Sequence, residues 1–428
     1  MKRVIFASIL IVITIFEIST ADEELYVING LAQTMSRIDL DNGDVDNHIL
    51  TLGVVPNDIK VHRDSVYILN SISDNIQIYD LITQSEVGTI EFSRGGNPWE
   101  MVIAENGYIY VTNFVSGNVY EVDIQTSSII REFNVGNTLE AVFESAGKLF
   151  VTDTNYDPDN YTYGTGKLYC SNLPELSEWS EIAIGTNPQK IIFGPDGNIH
   201  ITCTGNYMDI EGSVYIIDPH NSSIVDVIEI GGEPTSSASA NGLIFLAAGG
   251  WVDNGEVYCY DGTTYEVLNG PSNPIYTGTG SIEITSDLNN YVFSCDFYTA
   301  TISKINENRE VVDVYNVGDG PQNAAYYNSE WTSVDDESLP HLTDISLSVY
   351  PNPFNGSTTF TIEGILFDEV NSLNIYNIKG ELAAKLNPDA IEHSDRIVWT
   401  PAGLSSGIYF LELKHKNGST NKMLTFIK

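Results

Sequence analysis

"YIYVTNFVSGNVYEVD" (residues 108–123) reads as two short strands joined by a tight turn. Tyr108, Tyr110, Val119 and Val122 are strand formers, and Ser116, Gly117 and Asn118 supply the turn chemistry. A hairpin this small cannot bury its own faces, so it needs something to stack on. Six further stretches share its layout: "LYVINGLAQTMSRIDLDNG" (25–43), "VYILNSISDNIQIYD" (66–80), "LFVTDTNYDPDNYTYGTGKLYC" (149–170), "IHITCTGNYMDIEGSVYIID" (199–218), "IFLAAGGWVDNGEVYCYD" (244–261) and "YVFSCDFYTATISKIN" (291–306).

Between these hairpins recurs a Gly-x-x-Pro-like turn, at Gly53/Pro56, Gly95/Pro98, Gly136/Thr138, Gly185/Pro188, Gly231/Pro234, Gly278/Ser281 and Gly318/Pro321. Pro56 to Pro321 is 265 residues over six intervals, about 44 per repeat, the period of propeller blades. Helical solenoids share that period, but these segments alternate apolar and polar residues between Gly, Asn and Asp turns and carry no sustained helical pattern. Each complete repeat reads as four strands, as in "DIKVHR", "SVYILNS", "NIQIYDL" and "EVGTIEF" after Pro56. Residues 25–52 supply three strands and "QNAAYY" (322–327) supplies one. Joined, these leftovers close a seven-bladed β-propeller from both ends, and closure removes exposed sheet edges.

The two termini of the sequence read differently. Met1, Lys2 and Arg3 precede an apolar run to Ile18, and Ser19, Thr20 and Ala21 follow, which predicts a signal peptide over residues 1–21. No later stretch approaches transmembrane length. From Asp22 to Pro340 there are 48 acidic against 10 basic residues, a net of −38, whereas His341 to Lys428 has 9 against 7. Such a field repels nucleic acid and anionic lipid and favours cationic partners. The step in charge near residue 340 marks a domain boundary. Cys170, Cys203, Cys259 and Cys295 are spaced by 33, 56 and 36 residues with no C-x-x-C pair, so they read as core residues. A disulfide among them is left open.

The repeats and the tail each carry a resemblance. Tyr110 to Asn113 ("YVTN"), followed by "VYEVD" and preceded by "GGNPWEMVI", resembles the YVTN family of seven-bladed propellers over residues 22–328. That resemblance implies a surface or exported protein and names no reaction. After a polar linker (329–344), short strands with Asn-Gly, Lys-Gly and Ser-Gly turns predict a small Ig-like β-sandwich over residues 345–428. Pro351-Asn352-Pro353, Ile375 to Asn377 before Gly380, Ser406, Gly407, Ile408 and Tyr409, and the final Lys422 to Lys428 closely resemble the C-terminal sorting domain of the bacterial type IX secretion system. This implies delivery through the periplasm to the cell exterior, with the type IX machinery as partner.

Candidate chemistry gathers on one propeller face. Two positions past each turn stand Asp58, Glu100, Glu140, Lys190, Ser236, Glu283 and Asn323, and four acids at one channel mouth concentrate cations. Asn113 at the end of its strand, with Tyr207 and Trp251 in neighbouring loops, completes a candidate ligand set suited to a sugar, peptide or surface protein. Asp153, Asn155, Asp157 and Asp159 are oxygen ligands of the kind Ca²⁺ takes, although Pro158 and Gly164 depart from the EF-hand pattern. No cofactor other than Ca²⁺ is suggested. His48, His62, His200 and His220 are not placed for acid/base work at the channel, and no nucleophile motif or phosphate loop appears. The reading is an exported binding or structural module without catalytic residues. The alternative is a Ca²⁺-dependent hydrolase or lactonase using Glu100, Glu140, Glu283 and Asn113.

Overall fold

A computed structural model describes residues 23–250 and 255–329 and, in the tail, 346–350, 354–363, 370–377, 379, 382–386, 396–401, 403–415 and 418–428. The expected signal peptide, nearly all of the linker, Trp251, Pro351 to Pro353 and Gly380 lie outside the described residues. The chain divides into two compact units, residues 1–333 and 334–428, and among the described residues the regular elements of both are β-strands.

Among the described residues the first unit forms seven antiparallel sheets of four or more strands. Their innermost strands are Pro56–His62, Pro98–Ile103, Leu139–Ser145, Pro188–Phe193, Ser236–Ala240, Ser281–Ser286 and Pro321–Asn328. Each touches the next in that order, and Pro321–Asn328 also touches Pro56–His62, so the cycle closes. Pro321–Asn328 pairs with Glu23–Asn29, with Glu23 opposite Asn328, which ties the two ends of the unit into one sheet.

Position within a sheet explains composition. Middle strands such as Ser65–Asn70 and Asn75–Asp80 are covered on both faces and are almost wholly buried. Outer strands such as Ser85–Glu91 ("SEVGTIE") are mostly exposed and polar, which also blunts the sheet edge. Apolar clusters fill the spaces between sheets. Tyr67, Leu69, Ile76 and Ile78 of one sheet meet Met101, Ile109, Val111 and Tyr120 of the next. Each such aliphatic side chain contributes roughly 1.5–3 kcal/mol by burial. All four cysteines are buried free thiols within these layers.

Two sheets depart from the simple four-strand expectation. In the fifth, Pro271 and Pro274 remove ladder donors, and the outer edge splits into Val267–Asn269 and Ile275–Tyr276, both on Glu256–Asp261. In the third full sheet, the long loop after Lys148–Asp153 folds into its own hairpin, Tyr156–Asp157 against Thr162–Tyr163.

The tail unit contains a three-stranded sheet (Ser346–Tyr350, Thr358–Glu363, Arg396–Trp399) and a four-stranded sheet ordered Leu382–Leu386, Val370–Asn377, Gly407–His415, Gly418–Phe426. Phe354, Phe360, Trp399, Tyr409, Leu411, Leu424 and Phe426 form its core. The Tyr409 hydroxyl donates to the Ser405 carbonyl at 2.8 Å.

Candidate binding site at the ring axis

The inner strands begin with an irregularity that positions the candidate residues. Register shifts fall between Pro56 and Asp58, Pro98 and Met101, Leu139 and Val142, Pro188 and Lys190, and Ser281 and Glu283. An extra residue at a strand start bends the strand and re-aims its side chain. The strand Ser236–Ala240 pairs without such a shift and carries a short serine at the equivalent position.

These side chains form a network across the axis. Asn323 Nδ2 donates to Asp58 Oδ1 at 3.1 Å, and Lys60 Nζ lies 2.9 Å from the same oxygen. Lys60 also lies 3.8 Å from Glu100 Oε1. Lys190 Nζ reaches Glu100 Oε1 at 2.9 Å and Glu283 Oε1 at 3.3 Å. The Ser236 hydroxyl donates to Glu283. Burial pulls the Lys190 ammonium down, but Glu100, Glu283 and Asp58 outweigh it and hold its pKa above the ordinary lysine value.

Glu140 is the exception. It is 3% exposed, and no hydrogen-bond donor or cation among the described residues reaches its carboxyl. Burial first, then Glu100 and Asp153, push its pKa well above the ordinary carboxylate range. The axis therefore carries four carboxyl groups (Asp58, Glu100, Glu140, Glu283) against two ammonium groups (Lys60, Lys190), and one carboxyl has no partner.

Aromatic side chains run along the same face. Trp99, one residue past its turn proline, lies 5.2 Å from Phe114 between ring centres. Phe114 meets Tyr156 at 6.3 Å, Tyr156 meets Tyr163 at 4.9 Å, and Tyr163 meets Tyr207 at 6.0 Å. Glu140 is close enough to raise the hydroxyl pKa of both Tyr163 and Tyr207, in each case after the larger effect of burial, and Tyr207 is pushed up to about 12. The same loops add the exposed apolar residues Val115 and Met208, and the corresponding loops of other sheets add Leu31, Ile72 and Tyr298. Sequence reasoning missed Trp99, Phe114, Tyr156 and Tyr163. Two of them had a usable signal, since Trp99 follows the turn proline and Phe114 follows the strand-end Asn113.

Asn113 itself does not reach this face. It is fully buried, its amide donates to the Asn118 carbonyl at 3.1 Å, and it packs against Gly96. Nor do the four expected Ca²⁺ ligands converge. The Asp153 carboxylate is buried and accepts from the backbone of Asn137, Thr138 and Asn155 and from the Thr138 hydroxyl. Asp157 accepts instead from the backbone of Asp159 and Asn160 and from the Asn160 amide, which makes the hairpin turn. Asn155 Nδ2 donates to the Thr165 carbonyl at 3.3 Å. Among the described residues no three His, Cys, Asp or Glu side chains gather to hold a metal ion. His200 is buried between Asp196 at 2.9 Å and the Tyr260 hydroxyl at 2.8 Å, and neither partner belongs to the axial network.

Comparison with known proteins adds two findings. Residues 348–427 match the family model described as a secretion system C-terminal sorting domain. The chain is therefore exported through the type IX system to a secreted or cell-surface location. In structure, the chain is similar to hydrazine synthase of Kuenenia stuttgartiensis, with TM-score 0.55 and 13% identity, covering 67% of this chain and 92% of that one. It is also similar to a streptogramin B lyase, with TM-score 0.50 and 12% identity, covering 64% and 88%. These likenesses show a β-propeller-like fold and nothing of function. No match is found among curated proteins.

Proposed function

We propose that the first unit is a seven-bladed, YVTN-like propeller that acts as a ligand-binding module outside the cell, with an Ig-like sorting sandwich as its delivery tail. The observation that supports it best is the coincidence, on one face, of a polar axial network and a run of five aromatic rings from three successive sheets. Aromatic faces beside converging polar groups suit a sugar ring or a peptide side chain. A signal peptide at residues 1–21 and a linker at 329–344 complete the proposed organisation. The closed cycle of inner strands supports the blade count, and the Tyr409 hydroxyl bond to the Ser405 carbonyl supports the sandwich type.

The hydrolase alternative needs Glu100, Glu140 and Glu283 free to hold a cation. Lys190 draws two of the three carboxylates to itself, which favours binding over metal chemistry. The test is to probe the full chain against glycan and peptide arrays, alongside a Trp99→Ala/Tyr207→Ala variant. Ligands bound by the native chain and lost in the variant support the reading. Binding unchanged in the variant, or none on either array, rejects it.

A further inference from the structure

Among the described residues, Glu140 is the axial carboxyl that no donor or cation of the protein meets. Asp58 has Lys60 and Asn323, Glu100 has Lys190, and Glu283 has Lys190 and Ser236. The residue is 3% exposed, yet its carboxyl oxygens are not among the fully enclosed unpartnered polar atoms, so a donor from outside can meet them. Its surroundings are anionic and aromatic: the Tyr156 N–H donates to Thr138 Oγ1 at 3.0 Å, which sets the Tyr156–Tyr163 hairpin beside the start of the strand carrying Glu140, and the Tyr163 and Tyr207 rings lie 6.0 Å apart, while Glu100 and Asp153 supply the negative charge.

On this basis, and resting on the binding reading above, we propose that Glu140, Tyr163 and Tyr207 form a pocket for a primary ammonium group, presented by a lysine side chain of a peptide or protein. An ammonium supplies three donors and the positive charge that lets this carboxyl ionise, and ring faces attract the same charge. A bare metal ion fits less well, because no three ligating side chains gather among the described residues. A neutral sugar would bring hydroxyl donors but no positive charge to offset the surrounding anionic groups. The flanking rings and the exposed Met208, Val115 and Ile72 suit the apolar body of a polypeptide rather than a free amine. The net charge of −38 over residues 22–340 favours a basic partner.

The experiment uses the full chain on an array of lysine-containing peptides of mixed flanking sequence, probed before and after acetylation of the array, beside a neutral glycan array. Bound peptides are then titrated against the native chain and against Glu140→Gln, with n-butylammonium as the free-amine probe. The expected result is binding that acetylation abolishes, a dissociation constant raised at least tenfold by Glu140→Gln, and at least tenfold weaker binding of n-butylammonium. Peptide binding indifferent to acetylation or to Glu140→Gln overturns the ammonium pocket. Glycans bound in place of peptides do the same while leaving the binding reading intact. Equal binding of n-butylammonium overturns the polypeptide partner, and no binding on either array removes both readings. Circular dichroism and thermal unfolding establish that Glu140→Gln is folded, and Tyr207→Phe, which keeps the ring, should bind within about twofold of the native chain.

Discussion

Lys190 Nζ lies 2.9 Å from Glu100 Oε1, although the strand carrying Glu140 stands between their two strands in the ring. The lysine also reaches Glu283, two strands away on its other side. One largely covered ammonium, its side chain 14% exposed, thus ties three non-adjacent sheets through the axis. Removing one partner of a buried ion network leaves charge uncompensated, at a cost of roughly 3–5 kcal/mol. Lys190→Met should lower the unfolding free energy of the first unit by about that much, read from urea denaturation followed by tryptophan fluorescence. Adding Glu100→Gln and Glu283→Gln should restore most of the loss. A Lys190→Met chain as stable as the native one would show that the network carries no net stability.

Glu140 predicts a pH dependence of definite sign. Its pKa is raised by burial, then by Glu100 and Asp153, so the native state holds the proton more tightly than the unfolded chain. Glu100, whose own pKa burial also raises, is present in the native and variant chains alike, and Tyr163 and Tyr207 are held above the ordinary tyrosine value, so the difference between the two chains reads Glu140. The stability contribution is fully present below the ordinary carboxylate pKa of about 4.3 and is lost as pH rises through the raised value. Glu140→Gln carries no charge at any pH. It should melt with the native chain at about pH 4 and several degrees above it at about pH 8, since 1 kcal/mol moves Tm by roughly 2–4 °C in a unit this large. A difference that stays constant with pH would refute the assignment.

The repeat was legible because turn chemistry punctuates it: a glycine and a proline-like position recur at every inner strand, and that spacing predicted which residues would reach the axis. Asp58, Glu100, Lys190, Glu283 and Asn323 do meet there. Their pairing was not legible, because Lys190 and Glu100 are 90 residues apart and only ring geometry brings them together. Asn113 was misread for a related reason. A polar residue at a strand end can face the loop or the neighbouring turn, and here Gly96 leaves room for it inside. The loop 153–164 offered carboxylates at suggestive spacing, but backbone donors took Asp153 and Asp157 in opposite directions. Local hydrogen bonding to the backbone competes with ligand binding and is invisible to spacing.

Gly117 tests the contact between successive turns. Its φ is +66°, and a Cβ there would sit 2.1 Å from the Gly136 carbonyl oxygen, a backbone atom that cannot swing away. The same approach recurs at Gly166 against Gly185 and at Gly255 against Gly278. Gly117→Ala should cost at least about 2 kcal/mol, combining the left-handed conformation with the clash. Gly88, on an outer strand with open space around it, is the control: Gly88→Ala should fall within about 0.5 kcal/mol of the native chain. Equal effects at the two positions, measured by thermal unfolding, would reject the close-contact account.

Divalent cations discriminate between a loop site and general screening. A Ca²⁺ site in residues 153–164 would stabilise by RT ln(1 + [L]/Kd), roughly 2.7 kcal/mol at a hundredfold excess, and Mg²⁺ would do much less because it dehydrates reluctantly. The geometry argues against such a site. Asp153 is buried and committed to the backbone of Asn137, Thr138 and Asn155, whereas Asp157 closes the exposed hairpin turn through Asp159 and Asn160. The Asn160 amide and those backbone donors lower the Asp157 pKa, so its negative charge is already answered within the turn. An excess of 38 negative charges over residues 22–340 still repels itself, and any divalent cation screens it. Ca²⁺ and Mg²⁺ at matched ionic strength should therefore raise Tm alike, and Asp157→Asn should leave both responses unchanged, because asparagine makes the same turn. A shift confined to Ca²⁺ and abolished by Asp157→Asn would place an ion in the loop after all.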